Sequence, residues 1–168
     1  ILPATAQFSI APNTLTQTYD GASKSVGVTV VPADVPYTIT YNGSTTLPVN
    51  AGTYAVQVAV SDPNYVGSLN ATLVIQQAQA QVTITPATLT QTYNGSARTV
   101  GVTTLPAGLA NSVNYNGSSS APVNAGSYAV QVSVTDPNYV GTASGTLVVQ
   151  QATAQVTITA NTLAQTYN

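Results

Sequence analysis

Apolar and polar residues alternate along most of the chain, and the alternating runs are rich in the β-branched residues Val, Ile and Thr. The clearest run is 54–60, in which the valines fall on one face and the alanines and the glutamine on the other. A period of two over a run of this length predicts a β-strand with one buried face. Because no stretch of the sequence has a convincing helical period, the pattern predicts an all-β fold.

The same alternation predicts further strands in the first half of the chain, at residues 8–11, 15–19, 26–30, 37–41 and 69–76. We expect the first two of these to form a short opening pair. Asp20-Gly21 and Asn42-Gly43 supply turns between strands, because these residue types tolerate a positive φ. Asp62-Pro63-Asn64 marks the bend before the last strand.

The pattern recurs at a fixed interval of 74 residues. The phrase Gln-Thr-Tyr ends at Tyr19, Tyr93 and Tyr167, and Asp62-Pro63-Asn64-Tyr65 returns as Asp136-Pro137-Asn138-Tyr139. The chain therefore divides into repeat 1 at residues 1–74, repeat 2 at 75–148, and the opening strands of a third unit at 149–168. Because the interval exceeds the roughly 20–50 residues of solenoid repeats, we expect separate modules, each with its own core.

The connection between the repeats, residues 76–81, contains no Gly, no Pro and no charged residue. It lacks the composition of a flexible linker, so we expect the modules to follow one another in a stiff linear rod. Because residues 149–168 contain only the opening strands of a third unit, we expect the chain to be an excerpt of a longer array. The alternative is strand addition to a neighbouring chain, in which this surplus segment pairs with another molecule.

The phrase Asn50-Ala51-Gly52-Thr53-Tyr54 precedes the strongest strand and recurs at 124–128. Immunoglobulin-like sandwiches often place a tyrosine at such a corner, where its hydroxyl bonds back to the upstream main chain. We therefore predict tandem small antiparallel β-sandwich modules of the immunoglobulin-like type. The predicted corner and turn positions are Gly52, Tyr54, Asp62, Gly126, Tyr128 and Asp136.

The composition excludes several classes of function. The chain has no Cys, His, Met, Trp or Glu, and 4% of its residues are charged. With two Lys and Arg in total it cannot neutralise the phosphates of a nucleic acid or bind an anionic membrane through a basic patch. A serine triad or general acid–base pair lacks its usual residues, so we predict no enzyme, no cofactor and no metal. No apolar run reaches the length of a membrane span.

A few residues nevertheless could carry chemistry. Asp62 and Asp136 could bind calcium, but each bend offers one carboxylate where calcium needs several, so we interpret them as turn residues. Lys24 and Arg98 are equivalent, and because arginine forms no isopeptide bond, we interpret the pair as isolated charges or weak ion pairs. The repeated tyrosines could stack on glycans, although most are expected in core and corner positions. Possible glycosylation sites, each an Asn-X-Ser/Thr sequon, are Asn42, Asn70, Asn94 and Asn116.

Taken together, these phrases resemble the MBG repeat of the YGX type, found in large surface proteins and adhesins of bacteria. The matching phrases include Gln-Thr-Tyr-Asp/Asn-Gly, Val-Gly-Val-Thr, Pro-Val-Asn-Ala-Gly-Ser/Thr-Tyr and Asp-Pro-Asn-Tyr-Val-Gly. The resemblance implies an extracellular tandem β-domain that serves as a spacer and has no catalytic residues. It leaves a β-grasp-like sheet open as an alternative to the sandwich.

From sequence we therefore expect a non-catalytic structural segment of an extracellular stalk, adhesin or filament on a bacterial or archaeal cell surface. The scarcity of charge and of protease-sensitive Lys and Arg fits this role. The alternative is a multivalent adhesion module that binds glycans or matrix. Expected partners are neighbouring repeats of the same chain or fibre, with strand addition between chains and surface glycans as further possibilities.

Overall fold

The structure is a computed structural model that describes residues 1–159. Residues 160–168, which include Leu163 and Tyr167 of the predicted third unit, lie outside the described part. Repeat 1 and its first connection contain nine strands: β1 Ala4–Thr5, β2 Gln7–Ile10, β3 Thr16–Thr18, β4 Val28–Val31, β5 Tyr37–Tyr41, β6 Gly52–Val60, β7 Tyr65–Val66, β8 Ser68–Gln76 and β9 Ala78–Gln79.

Repeat 2 follows the same order of elements. Its strands are β10 Gln81–Ile84, β11 Thr90–Thr92, β12 Val102–Leu105, β13 Asn111–Tyr115, β14 Gly126–Val134, β15 Tyr139–Val140 and β16 Thr142–Gln150. Two short 3-10 turns, Pro12–Thr14 and Pro86–Thr88, occupy equivalent places in the two repeats. Within residues 1–159 no helix is long and apolar enough to cross a membrane.

The chain forms two compact units whose limits differ from those of the sequence repeats. The first unit contains residues 1–82 together with 104–112 and 133–142. The second contains 83–103, 113–132 and, within the described part of the chain, 143–159. The first unit therefore includes a bend that belongs to repeat 2 by sequence.

Two sheets form the sandwich of the first unit. One has the strand order β3-β8-β6-β5, and the other pairs β2 with β4. The pairs β5–β6 and β6–β8 are antiparallel, whereas β3 runs parallel to β8 with Thr16 opposite Val74. The two predicted opening strands, 8–11 and 15–19, therefore do not pair with each other. The 3-10 turn at Pro12–Thr14 carries the chain from one sheet to the other between them.

The core of the first unit lies between these sheets. Four of its buried residues come from alternate positions of β6 and β8: Val56, Val58, Leu73 and Ile75. Val26 and Tyr41 belong to the same buried cluster. Phe8 and Ile10 on β2 pack against this cluster from the facing sheet. The alternation of apolar and polar residues in the sequence of β6 and β8 thus matches the alternation of more and less buried residues in the structure.

Repeat 2 has the same arrangement of strands. Its four-stranded sheet has the order β11-β16-β14-β13, and β10 pairs with β12. The buried residues are Ile84, Tyr115, Val130, Val132, Leu147 and Val149. The prediction of an all-β fold with tandem sandwich-like modules is confirmed, and the sheets are mixed because each contains one parallel pair. The β-grasp alternative requires a helix packed on the sheet. The helical elements among the described residues are the two short 3-10 turns, so this part of the chain does not fit a β-grasp sheet.

Candidate functional site

The Asp-Pro-Asn-Tyr bend has the same local geometry in both repeats. In repeat 1, Asp62 Oδ1 accepts a hydrogen bond from the Asn64 backbone N–H at 2.8 Å. In repeat 2, Asp136 Oδ1 accepts the equivalent bond from Asn138 N–H, also at 2.8 Å. An aspartate that bonds the backbone two residues on fixes a turn without help from other segments. We call residues 62–65 the first-repeat loop and residues 136–139 the second-repeat loop.

The second-repeat loop contacts residues of repeat 1 inside the first compact unit. Asn138 Oδ1 accepts a hydrogen bond from the Ala51 backbone N–H at 2.8 Å, and Asn138 Nδ2 donates to Asn50 Oδ1 at 3.3 Å. The ring of Tyr139 meets the ring of Tyr19 edge to face, with centroids 5.4 Å apart and planes at 82°. We call Tyr19, Asn50 and Ala51 the first acceptor surface.

The connection between the repeats reinforces this contact. Gln77 Nε2 donates to the carbonyl oxygen of Pro137 at 3.0 Å and to that of Tyr139 at 3.3 Å. Strand β9 pairs in parallel with β15, so that Ala78 lies opposite Tyr139. Neutral hydrogen bonds stabilise a fold by about 0.5–1.5 kcal/mol each, and an aromatic edge contact adds a similar amount. The loop is therefore held by several small contributions.

The tyrosine corner holds the acceptor residues in place. Tyr54 Oη donates to the Asn50 carbonyl at 2.8 Å, and Tyr128 Oη donates to the Asn124 carbonyl at 3.0 Å. A Cβ at Gly52 would lie 3.6 Å from the Tyr54 ring, so the tyrosine lies close over the glycine. Because Asn50 Oδ1 accepts a hydrogen bond from the second-repeat loop and the Ala51 N–H donates one to it, the corner fixes the main chain that receives this loop.

Replacing Tyr54 by phenylalanine is expected to lower the free energy of unfolding by about 0.5–1.5 kcal/mol, because the bond to Asn50 is lost while the ring remains. Urea denaturation followed by circular dichroism measures this change. Tyr65→Phe is the matched control, since its hydroxyl makes no hydrogen bond within residues 1–159. Equal effects of the two variants would show that the corner bond contributes nothing.

The charged residues do not converge on one site. Lys24 Nζ lies 2.6 Å from Asp20 Oδ2, and this contact together with the Ala22 N–H lowers the pKa of Asp20. Asn94 replaces Asp20 in repeat 2, where the Arg98 guanidinium donates to the Thr92 carbonyl instead. Among residues 1–159 there is no group of three or more side chains of metal-binding type.

The four sequon asparagines lie in different settings. Asn42 and Asn116 have a positive φ of 49° at the tips of hairpins, and their Oδ1 atoms accept the N–H of Ala55 and Ala129 at 2.8 Å. Asn94 Oδ1 accepts the Ser96 N–H at 3.0 Å. Asn70 is exposed on β8. Glycosylation at any of these positions stays a prediction.

Tyrosines at two equivalent positions are core residues. Tyr41 is 3% exposed, and its hydroxyl accepts the Val26 N–H at 3.1 Å. Tyr115 is 5% exposed and accepts the Val100 N–H at 3.0 Å. Both rings are therefore closed to a glycan. Tyr19 faces Tyr139 and contributes to the first acceptor surface instead.

Sequence analysis did not anticipate that the loop and the corner phrase meet. Both phrases recur with the same 74-residue offset, but so does the rest of the repeat, so the recurrence does not single out this contact. The Asp-Pro-Asn-Tyr phrase predicts a turn, but its local pattern does not indicate which other segment the turn contacts.

The fold and these contacts define a tandem-repeat all-β protein whose repeats carry a loop and a surface that receives it. The chain belongs to the MBG domain family, which matches residues 8–79 and 80–153 as two tandem copies. The resemblance stated from the sequence is confirmed. No match was found among curated proteins.

One similar solved structure is that of fibronectin(III)-like modules of CbhA from Clostridium thermocellum. It is 11% identical, covers 96% of this chain and 99% of its own, and has a TM-score of 0.38. At this score the likeness supports no inference about function.

Proposed function

We propose that this chain is a non-catalytic structural repeat segment of an extracellular stalk, adhesin or filament. Its repeats supply length and stiffness, and its low content of Lys and Arg limits cleavage by trypsin-like proteases. Membership of the MBG domain family supports a repeat module of this kind.

The observation that carries the proposal is the docked second-repeat loop. Without it, the connection at residues 76–81 would be the main restraint between the repeats. Asn138 and Tyr139 add side-chain contacts to Ala51, Asn50 and Tyr19 that a simple tether would lack. A spacer that resists bending needs contacts of this type at each connection, because stiffness otherwise depends on the linker alone.

Pulsed electron paramagnetic resonance tests this stiffness. The chain contains no cysteine, so Thr45→Cys and Ser119→Cys place one spin label on an exposed hairpin of each repeat. We expect a narrow distance distribution for this pair. Asn138→Ala removes two hydrogen bonds worth about 1 kcal/mol each, so it should raise the undocked population about 5–30-fold and broaden the distribution.

Asn64→Ala is the matched control, because Asn64 occupies the equivalent position in the first-repeat loop and its side chain bonds, within residues 1–159, only to Asp62 of its own bend. It should leave the distribution unchanged. A broad distance distribution in the labelled chain that keeps both Asn64 and Asn138 would contradict the spacer proposal. The same width in both asparagine variants would show that the docked loop does not stiffen the chain.

A further inference from the structure

The tetrapeptide Tyr-Asn-Gly-Ser occurs three times in the chain, with its asparagine at Asn42, Asn94 and Asn116. Asparagine loses its side-chain amide most readily when glycine follows it, because glycine has no Cβ to crowd the backbone nitrogen that attacks the amide. All three asparagines are exposed, so water reaches each of them. Since the neighbouring residues are identical as well, a difference in reactivity among the three must come from the fold.

Two of the three asparagines are held by a neighbouring strand. The Asn42 N–H donates to the Ala55 carbonyl at 2.8 Å, and Asn42 Oδ1 accepts the Ala55 N–H at 2.8 Å. Asn116 makes the same two bonds to Ala129, also at 2.8 Å. These bonds fix the main chain and the side chain of each asparagine together. The side-chain carbonyl carbon therefore cannot turn onto the nitrogen of the following glycine until both bonds break.

Asn94 has no such restraint. Its Oδ1 accepts the Ser96 N–H at 3.0 Å, which is a bond within its own turn. Among residues 1–159, neither the main chain nor the side chain of Asn94 bonds to another strand. The side chain can therefore approach the Gly95 nitrogen without opening a sheet or a hairpin.

Repeat 1 shows what a carboxylate does at this position. Asp20 is the counterpart of Asn94, and Asp20 Oδ1 accepts the Ala22 N–H at 2.9 Å in a turn of the same kind. The other carboxylate oxygen, Asp20 Oδ2, lies 2.6 Å from Lys24 Nζ. The turn therefore accommodates an aspartate, which bonds the main chain through one oxygen and a cation through the other.

Repeat 2 keeps the cation of this pair, because Arg98 is the counterpart of Lys24. The Arg98 guanidinium donates to the Thr92 carbonyl, but its buried Nε has no hydrogen-bond partner among residues 1–159. A buried donor without an acceptor lowers the stability of a fold. The neutral amide of Asn94 offers Arg98 no negative charge, whereas a carboxylate at the same position would.

We propose that Asn94 is a site of deamidation and that the aspartate formed there pairs with Arg98, as Asp20 pairs with Lys24. The Gly95 backbone nitrogen bonds to the side-chain carbonyl carbon of Asn94, the bond from this carbon to Nδ2 breaks, and ammonia leaves with the Gly95 proton. Water then opens the cyclic imide, at the side-chain carbonyl to give aspartate or at the main-chain carbonyl to give isoaspartate. The formal net charge falls by one from −2. This inference does not depend on the spacer role.

Peptide mass spectrometry of the unsubstituted chain tests the reaction. The folded chain is incubated at mildly alkaline pH and digested with pepsin in acid, and the conversion of amide to carboxyl is measured at each asparagine. We expect Asn94 to react at least about tenfold faster than Asn42 or Asn116, because those two must first break their bonds to the neighbouring strand. Equal rates at the three positions, or no reaction at Asn94, would overturn the proposal.

The same incubation in concentrated urea is the control. In the unfolded chain the hairpin bonds are absent, so the three identical tetrapeptides should react at similar rates. A preference for Asn94 that is as large in urea as in the folded chain would show that the fold does not select the site, which would also overturn the proposal.

The pairing with Arg98 is tested in Asn94→Asp, which supplies the aspartate directly. The pKa of the carboxyl group at position 94, followed by nuclear magnetic resonance, should lie below its pKa in the double variant Asn94→Asp, Arg98→Gln, because the guanidinium stabilises the charged form. Asp20 is unchanged in both variants and serves as the internal reference. Equal pKa values at position 94 in the two variants would overturn the pairing.

Discussion

Leu73→Ala is expected to lower the free energy of unfolding by about 2–5 kcal/mol, because it leaves a cavity that the surrounding sheet cannot fill. Leu73 is 0% exposed at the centre of β8 and belongs to the cluster that includes Val56 and Val58. Leu147 is the 0% exposed counterpart on β16, and Leu147→Ala should cost a similar amount. Urea denaturation followed by circular dichroism measures both.

Val148→Ala is the control for this prediction. Val148 follows Leu147 on the same strand but is 39% exposed, so its truncation should cost less than about 1 kcal/mol. If Val148→Ala destabilised the protein as much as Leu147→Ala, the assignment of the core to one face of β16 would be wrong.

The second large effect is expected at glycines beside the short parallel pairs. A Cβ at Gly67 would collide with the Ala6 carbonyl oxygen, and one at Gly141 with the Ala80 carbonyl oxygen. The obstructing atoms are backbone, so relief requires the strands to separate rather than a side chain to rotate. Gly67→Ala and Gly141→Ala are each expected to cost about 1–3 kcal/mol, measured by thermal unfolding.

Gly27→Ala provides the comparison, because the nearest atom to its added Cβ would be Thr14 Cγ2 at 3.4 Å, an ordinary contact. It should change stability much less than Gly67→Ala. Equal costs at both positions would mean that the loss of glycine flexibility, and not the backbone collision, determines the effect.

The sequence predicted the positions of the strands better than the pairing between them. The alternation at 54–60 places Val56 and Val58 in the core, where the structure has them. The parallel pairing of Thr16 with Val74 was not predictable, because a three-residue strand has no period and its partner lies almost a whole repeat away. Strand β1, with two residues, is likewise below the length at which alternation is informative.

The docked loop shows a different limit of sequence reasoning. Asp-Pro-Asn-Tyr is identical in both repeats, yet Asn64 is exposed and Asn138 is half-buried against Ala51. Identical phrases cannot by themselves distinguish these two environments. The difference depends on whether another repeat presents its Tyr-and-Asn-Ala surface to the loop.

The recurrence of loop and acceptor surface has a consequence for how such a gene can change in length. Because each repeat contains both parts of the contact, a duplication or deletion of a whole 74-residue segment creates a junction between parts that already fit. Unequal recombination between neighbouring repeats can therefore lengthen or shorten the protein without the need for a new interface to evolve. Insertions that are not whole multiples of the repeat would separate the loop from its partner.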